Sequence, residues 1–318
     1  MNIYVNTFQS GKQKVLNKKE LVLLTGVPRA GTSVVGDVLA KHSSIDSVFE
    51  PFNFHLGWKS VENYFPISDL DFTNEFCKKF LDNEIKFKSG IFPEDGFFKK
   101  LRKRLGFSGT KLSYNRAINS KTVETIIIKD PTACFLSPDF ISKDYKVIYL
   151  YRNPFSVAAS FKRMKWGFDM EDIIKRMKCS ALKHIVDDVS TEIELLKDES
   201  LYLKSALLLW LLSYSLAYSK KNEVLIVDHG DILRDPISTY QKMLNYMGYD
   251  LTNEHLNIIK EFKSAKNSGP PKEGVAHQWN RSMDTINKYW KEILSEKEIK
   301  VVESICNPLI SKLEGLKC

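Results

Sequence analysis

The sequence predicts an α/β fold in which helices flank a central, mainly parallel sheet. Four short apolar runs predict strands, at LVLLTGV (21–27), TIIIKDP (125–131), YKVIYLYRNP (145–154) and EVLIVDHGD (223–231). Continuous apolar runs of this length are typical of strands that are buried on both faces. Helical stretches separate the runs, and strands that alternate with helices favour a parallel sheet.

Periodic apolar residues predict the helices. The segments with this periodicity are SVVGDVLAKH (33–42), residues 171–200, TNEHLNIIKEFK (252–263) and residues 286–315. A further run, SALLLWLLSYSLAYS (205–219), is shorter than the roughly 20 residues that cross a bilayer, so we expect a buried helix there. Glycine and proline predict a loop at KNSGPPKEG (266–274).

The composition is that of a globular protein with a sizeable core. Hydrophobic residues make up 43% and aromatic residues 12% of the 318 residues, which excludes a disordered chain. Since no linker composition interrupts the chain, we expect one domain over residues 21–318 after an N-terminal extension of residues 1–20.

Cysteine usage and the N-terminal residues bear on the cell compartment. The five cysteines are scattered and form no C-x-x-C pair, which favours reduced thiols and argues against structural zinc. The first twenty residues lack the apolar core of a signal peptide. We therefore expect a cytoplasmic protein, and peripheral association with a membrane stays open.

The net charge of +8 is concentrated in one segment, which we call the basic segment (Gly96–Lys121). It holds eight basic residues and no acidic residue, so the rest of the chain is formally neutral. Within it, Phe97, Leu101 and Leu105 follow a four-residue spacing. This pattern suits a solvated surface helix with one apolar face. It also suits a surface that attracts an acidic glycan, an anionic lipid or a nucleic acid.

A glycine-rich turn follows the first strand and nearly spells a Walker A phosphate loop. Gly26 and Gly31 keep the G-x-x-x-x-G spacing and Ser33 closes it, but Thr32 stands where the lysine belongs and Arg29 lies inside the loop. A strand, a tight turn and a helix N-terminus together direct several backbone N–H groups at one anion. The sequence therefore predicts an anion-binding loop in a P-loop-like, three-layer fold.

A nucleoside triphosphate is one candidate ligand for this loop. Asp228, at the end of VLIVD, could stand for the aspartate that helps to hold magnesium. The missing lysine argues against this interpretation, so a magnesium-dependent kinase or nucleotidase ranks second. A non-catalytic protein that binds polyanions or membranes through its basic segment is a further alternative.

Two motifs together resemble sulfotransferases that use 3′-phosphoadenosine 5′-phosphosulfate (PAPS). GVPRAGTS resembles the 5′-phosphosulfate loop of that family, and VIYLYRNPFSVAASF (147–161) resembles its 3′-phosphate element. KYWKEILSEKEI resembles the C-terminal helix of many bacterial and carbohydrate sulfotransferases. The resemblance implies a PAPS-binding site without a metal, and the residues that it places there are Arg29, Ala30, Gly31, Thr32, Ser33, Arg152, Ser160 and Arg281, with Lys272 beside the last.

The same resemblance implies catalytic residues. In SVFEPFNFH, Glu50 stands where glycan- and tyrosine-modifying sulfotransferases carry a glutamate, so it is the expected general base. Lys129 matches the lysine that touches the transferred group, and with Arg29 it completes the expected catalytic set. Asp130 is a rival base that could instead pair with Lys129, and His55 is a weaker candidate.

Other positions are ambiguous or depart from the family pattern. VDHGDIL has Gly230 where the family often has a glutamate. Trp58, Trp166 and Trp279 could stack on adenine or on a sugar, although a core position is the commoner outcome for tryptophan. FEPFN resembles glycan sulfotransferases, which implies a carbohydrate acceptor, and the basic segment would suit an acidic or lipid-linked one.

The basic segment yields a first prediction. Reversing the charges of Lys100, Arg102 and Arg104 should raise the Michaelis constant for an acidic acceptor, because attraction between the segment and the acceptor is lost. Steady-state kinetics at low ionic strength would measure the effect. An unchanged Michaelis constant would remove the basic segment from acceptor binding.

Overall fold

The architecture is centred on one parallel sheet. The computed structural model describes residues 19–90, 109–264 and 289–317. The strands of these residues are β1 (Glu20–Thr25), β2 (Ile45–Phe49), β3 (Thr125–Lys129), β4 (Lys146–Tyr151) and β5 (Leu225–Asp228). They form an all-parallel sheet in the order β2-β3-β1-β4-β5, and helices flank it. The predicted α/β class with a parallel central sheet is confirmed.

The central strand β1 lies between β3 and β4. Leu24 is opposite Lys129 on one side and Ile148 on the other. The chain leaves β1 toward β2 at one edge and later builds β4 and β5 on the opposite side. Such a change of direction opens a crevice at the carboxyl ends of the strands, which is where open parallel sheets bind ligands.

Sequence patterning missed strand β2. Its sequence, IDSVF, contains Asp46 and Ser47, which break the apolar run, yet both are buried in the sheet. Arg116 compensates for the burial of Asp46, because its guanidinium donates to both carboxylate oxygens at 2.8 and 2.6 Å. Because β2 carries a buried aspartate that pairs with an arginine outside the strand, it does not show the continuous apolar run by which the other four strands were predicted.

The helices carry most of the remaining chain. Those of the described residues are α1 (Thr32–Leu39), α2 (Leu70–Leu81), α3 (Gly109–Asn119), α4 (Ser137–Ile141), α5 (Pro154–Met164), α6 (Met170–Lys178), α7 (Lys183–Asp188), α8 (Ser190–Leu195), α9 (Leu201–Ser219), α10 (His229–Arg234), α11 (Pro236–Met247), α12 (Asn253–Ser264), α13 (Trp290–Ile293) and α14 (Glu296–Glu314). The predicted stripe of Phe97, Leu101 and Leu105 and the predicted loop at 266–274 lie outside the described residues.

The prediction of one long helical stretch over 171–200 is wrong. The chain forms the three short helices α6, α7 and α8 there. The Ser180 hydroxyl donates to the carbonyl of Met177 and accepts from the backbone N–H of Leu182. Local bonds of this kind compete with the helical ladder, and here they accompany the turn between α6 and α7.

Helix α9 is the predicted buried helix. It is long and apolar enough to cross a membrane by composition, but 72% of its most apolar window is buried inside the fold, as in a core helix. The indole N–H of Trp210 donates to the carbonyl of Arg152 at 2.8 Å, and the hydroxyl of Tyr214 donates to the carbonyl of Leu150 at 2.8 Å. Helix α9 therefore holds the carboxyl end of β4 in place.

The C-terminal segment packs against helix α5. Tyr289 donates its hydroxyl to the carbonyl of Ser156 at 3.0 Å. At the start of α14, Glu298 completes a capping box and forms an ion pair with Lys162 of α5 at 2.7 Å. Burial opposes ionisation of Glu298, but hydrogen bonds from Lys162 and Tyr202 lower its pKa to about 2.

The contact of α9 with β4 gives the second prediction. Tyr214→Phe should lower the free energy of unfolding by about 1 kcal/mol, because a buried carbonyl loses a hydrogen-bond donor. Urea denaturation measures it. Tyr218→Phe removes the same hydroxyl from a half-buried position on α9 and serves as the control. Equal effects of the two substitutions would contradict a special role for the bond to Leu150.

Candidate functional site

The loop between β1 and α1 lies against the carboxyl ends of β4 and β5. Gly26 has φ 147°, and a Cβ there would lie 2.4 Å from the carbonyl oxygen of Leu150. Gly31 has φ 103°, and a Cβ there would lie 2.9 Å from Cδ2 of His229, which follows β5. Both positions therefore require glycine. This close packing explains the two glycines that the sequence analysis singled out.

The loop side chain of Arg29 reaches the element that follows β4. Its Nε donates to the hydroxyl of Ser160 at 2.9 Å, and Nη1 of Arg152 donates to the carbonyl of Arg29 at 2.6 Å. From the sequence we expect Arg29 in one anion site and Arg152 with Ser160 in another. The structure instead brings the three residues into direct contact, with the ring of Trp166 5.9 Å from the guanidinium of Arg29.

This contact concentrates positive charge. The pKa of Arg29 falls to about 10, first because the guanidinium is buried and then because Arg152 and Arg163 are positively charged neighbours, with Tyr289 acting in the opposite direction. Arg152 is only 8% exposed. Three cations in a half-enclosed position create a strongly positive potential, which favours the binding of an anion with more than one charge.

Not every backbone N–H group of the loop is available to a bound anion. The backbone N–H of Ala30 donates to the carbonyl of Val27 at 3.0 Å, so this amide is used inside the loop. Gly31 is the N-cap of α1, whose first turn has no acidic residue, and Thr32 is buried. The amino end of α1 therefore keeps its positive dipole potential at the site.

A buried ion pair lies on the other side of α1. Nζ of Lys129, at the end of β3, is 3.1 Å from Oε1 of Glu50 and 3.1 Å from the hydroxyl of Ser33. The lysine side chain is 2% exposed and that of Glu50 is 17% exposed. Burial lowers the pKa of Lys129, while the Glu50 carboxylate opposes that change. The ion pair joins the loop, through Ser33, to the segment that carries Glu50.

Two features of the surroundings shape this ion pair. The ammonium group of Lys129 lies 3.4 Å from the ring centroid of Phe49, a cation–π contact. A Cβ at Gly36 of α1 would lie 3.1 Å from Cγ of Lys129, so this glycine leaves room for the lysine stem. The segment after β2 starts with Glu50 at φ 46°, a left-handed conformation that is uncommon outside glycine and is found at functional sites.

Asp130 is fully buried and binds the backbone of the segment that follows Glu50. Its carboxylate accepts hydrogen bonds from the backbone N–H of Phe52 at 2.6 Å and from the N–H and hydroxyl of Thr132 at 2.8 and 2.7 Å. Burial and the nearby Glu50 charge raise the pKa of Asp130 to about 7, although these donors oppose the rise. The ammonium group of Lys129 donates to Glu50, so the alternative that Lys129 and Asp130 pair with each other is not the arrangement found.

The remaining candidates fall in different places. Trp58 is a core residue, 2% exposed and 5.0 Å from the ring of Phe72. His55 lies in the Glu50 segment with Nε2 2.5 Å from the Tyr64 hydroxyl. Asp228 accepts from the backbone N–H of Gly230 and caps α10. Arg281, Lys272 and Trp279 lie outside the described residues, as do residues 96–108 of the basic segment.

Three residues of the site escaped the sequence analysis. Arg163 is three positions after Ser160 on α5, so helical spacing could have placed it beside the anion site. Asn53 donates to Glu50, and His229 packs on Gly31, but neither carries a pattern that marks it before the loops are folded. Across residues 19–90, 109–264 and 289–317, no group of three or more metal-ligating side chains is found.

Comparison with known proteins gives a family match. A family profile described as "Sulfotransferase domain" matches residues 19–316. No curated protein sequence matches the chain.

Several solved structures of low sequence identity match the fold. The sulfotransferase domain from the curacin biosynthetic pathway is 14% identical, with a TM-score of 0.46 over 90% of this chain and 96% of that one. The sulfotransferase domain of the Synechococcus PCC 7002 olefin synthase is 14% identical, with a TM-score of 0.43 over 94% and 98%. A mouse sulfotransferase complexed with PAP is 13% identical, with a TM-score of 0.41 over 91% and 83%. At these scores we assign the family from the profile match alone.

The buried ion pair gives the third prediction. In a double-mutant cycle with Glu50→Gln and Lys129→Met, we expect a coupling free energy of about 1–3 kcal/mol in urea unfolding, because each single change leaves a buried polar partner without its counterpart. The pair Glu194–Lys197 is the control, since its side chains are 74% and 69% exposed. Its coupling should stay below about 0.5 kcal/mol. Equal coupling free energies in the two pairs would contradict the idea that burial strengthens the interaction between Glu50 and Lys129.

Proposed function

The chain belongs to the sulfotransferase domain family, and on this premise we propose that it transfers a sulfuryl group from PAPS to a hydroxyl group of a carbohydrate. Sulfuryl transfer is the activity of the family. The donor, the acceptor and the roles of the individual residues are our proposal. The observation that carries it is the contact of Arg29 with Ser160 and Arg152 next to the amino end of α1.

We assign the binding of the sulfuryl donor to the cluster of Arg29, Arg152 and Arg163. PAPS carries a phosphosulfate and a 3′-phosphate on one ribose, so it presents negative charge at two places. Arg152 and Ser160 would hold the 3′-phosphate, while Arg29, Thr32, Ser33 and the amide of Gly31 would hold the phosphosulfate. The direct hydrogen bond from Arg29 to Ser160 supports one continuous site for both groups. The lowered pKa of Arg29 is consistent with a site that an anion completes.

The chemistry is an in-line displacement. The acceptor oxygen attacks sulfur, the bond from sulfur to the bridging phosphate oxygen breaks, and the electron pair leaves with the phosphate of PAP. We assign the acceptor proton to the carboxylate of Glu50, which is partly exposed and therefore open to an acceptor. Asp130 is fully buried and engaged by three donors, so it suits a structural role.

Lys129 would link the two halves of the reaction. Its ammonium bonds both to Ser33 in the loop and to Glu50 in the acceptor segment. A fixed positive charge at this place stabilises the negative charge that develops on the transferring group, without any rearrangement during the reaction.

A carbohydrate acceptor is supported by the resemblance of FEPFN to glycan sulfotransferases. It is also supported by two aromatic side chains in the part of the chain that follows Glu50. The rings of Phe54 and Tyr64 lie 5.0 Å apart, and Tyr64 is 36% exposed. The exposed ring of Tyr64 offers a stacking surface to a sugar.

The fourth prediction concerns the donor. PAP at a hundredfold excess over its dissociation constant should raise the melting temperature by roughly 5 °C, with or without EDTA, because binding to the folded state alone stabilises it. Arg29→Ala and Arg152→Ala should abolish the shift, while Glu50→Gln should retain it.

The matched control is Arg234→Ala, which removes a guanidinium that is 70% exposed and paired with Asp231. It should leave the PAP shift unchanged. A shift with magnesium-ATP that EDTA removes, together with no response to PAP, would replace the proposal by the kinase alternative. Salt-sensitive association with polyanions and no response to either nucleotide would favour a binding protein.

A further inference from the structure

We propose that Asn53 is a positioning residue that fixes the carboxylate of Glu50 for proton removal from the acceptor. The inference rests on the proposed role of Glu50 as the base. Nδ2 of Asn53 donates to Oε2 of Glu50 at 2.9 Å. Asn53 lies three residues after Glu50, in the segment that leads away from β2.

The orientation of the Asn53 amide follows from its other contacts. Oδ1 accepts from the backbone N–H groups of His55 at 3.0 Å and Leu56 at 3.2 Å. Backbone N–H groups only donate, so the oxygen of the amide must face them and the nitrogen must face Glu50. The side chain therefore acts on the carboxylate as a donor.

The backbone holds Asn53 in this position from both sides. Its own N–H donates to the carbonyl of Glu50 at 3.1 Å, and its carbonyl accepts from the N–H of Gly57 at 2.8 Å. A Cβ at Gly57 would lie 2.4 Å from the carbonyl oxygen of Pro51 and 2.6 Å from that of Asn53. The segment folds back on itself so closely that only glycine fits at its closing position, and the amide has little freedom to turn away.

Two donors then approach Glu50 on different oxygens. Lys129 bonds to Oε1 and Asn53 bonds to Oε2, which fixes the plane of the carboxylate. A carboxylate oxygen can accept about two hydrogen bonds, so each oxygen keeps capacity for an acceptor hydroxyl. The side chain of Glu50 is 17% exposed, which leaves an approach to it.

The charged groups around Glu50 are few in the described residues. Lys129 and Asp130 face it from the end of β3, and Asp37 of α1 acts on Lys129. His55 follows in the same segment, where its ring is bonded to Tyr64. A substitution at position 53 leaves all of these groups in place, so its effect can be attributed to the lost donor.

The fifth prediction uses Asn53→Asp. Aspartate keeps an oxygen for the N–H groups of His55 and Leu56, but it replaces the donor by a second carboxylate beside Glu50. The acidic limb of the kcat/KM profile should therefore move up by about one pH unit or more, since a nearby like charge favours the protonated form. On the acidic side of the limb kcat/KM should fall about tenfold, the factor that corresponds to one pH unit, and it should recover at higher pH, with the acceptor KM within about twofold of wild type.

Asn257→Asp is the control, because it makes the same chemical change at an exposed position of α12, outside the basic segment. Its pH profile should match that of wild type. An equal loss of activity by Asn53→Asp at every pH, with the limb unmoved, would show a purely structural role and overturn the inference. A profile identical to that of wild type would overturn it as well.

A second readout separates this inference from the proposed function. The carboxyl carbon of Glu50 can be followed by NMR during a pH titration and assigned with Glu50→Gln, with no need for turnover. We expect its titration curve in Asn53→Asp to lie at higher pH than in wild type. If wild-type protein transfers no sulfuryl group, the proposed function fails, and an unmoved titration curve would independently refute the contact between Asn53 and Glu50.

Discussion

The ammonium group of Lys129 is the point on which the site depends. A lysine that is 2% exposed must find partners inside the fold, because a charge without them is costly to bury. Its partners come from two separate parts of the chain, Ser33 at the start of α1 and Glu50 after β2. Satisfying one cation therefore draws the loop after β1 and the segment after β2 together, and Gly36 leaves the space in which this happens.

The cluster of Arg29, Arg152 and Arg163 differs from this ion pair, because it brings like charges together. There burial and then the positive charges of Arg152 and Arg163 lower the pKa of Arg29. Buried contacts hold the residues that carry these groups in place. The carbonyl of Arg152 accepts a hydrogen bond from the buried indole of Trp210, and Ser160 lies in the buried part of α5, residues 154–161. One half of the site is balanced within the chain, while the other half, on our proposal, is balanced by the bound anion.

The sequence contained the sheet and the anchor residues of the site, because both follow from local patterns. The apolar runs of β1, β3, β4 and β5 and the spacing of Gly26 and Gly31 are visible without a structure. Glu50 and Lys129 were recognised as separate candidates, but their contact spans 79 residues and has no local signal. Strand β2 escaped because Asp46 is buried against Arg116, and the role of Asn53 depends on a backbone that folds back after Pro51.

The ion pair between Lys162 and Glu298 has a consequence for how the chain tolerates shortening. It ties the start of α14 to the helix that presents Ser160 and Arg163, and the hydroxyl of Tyr202 joins the same carboxylate. Helix α14 thus stabilises the position of α5. Cleavage by a protease within α14 should therefore disturb the part of the site that lies on α5, although it changes no residue there.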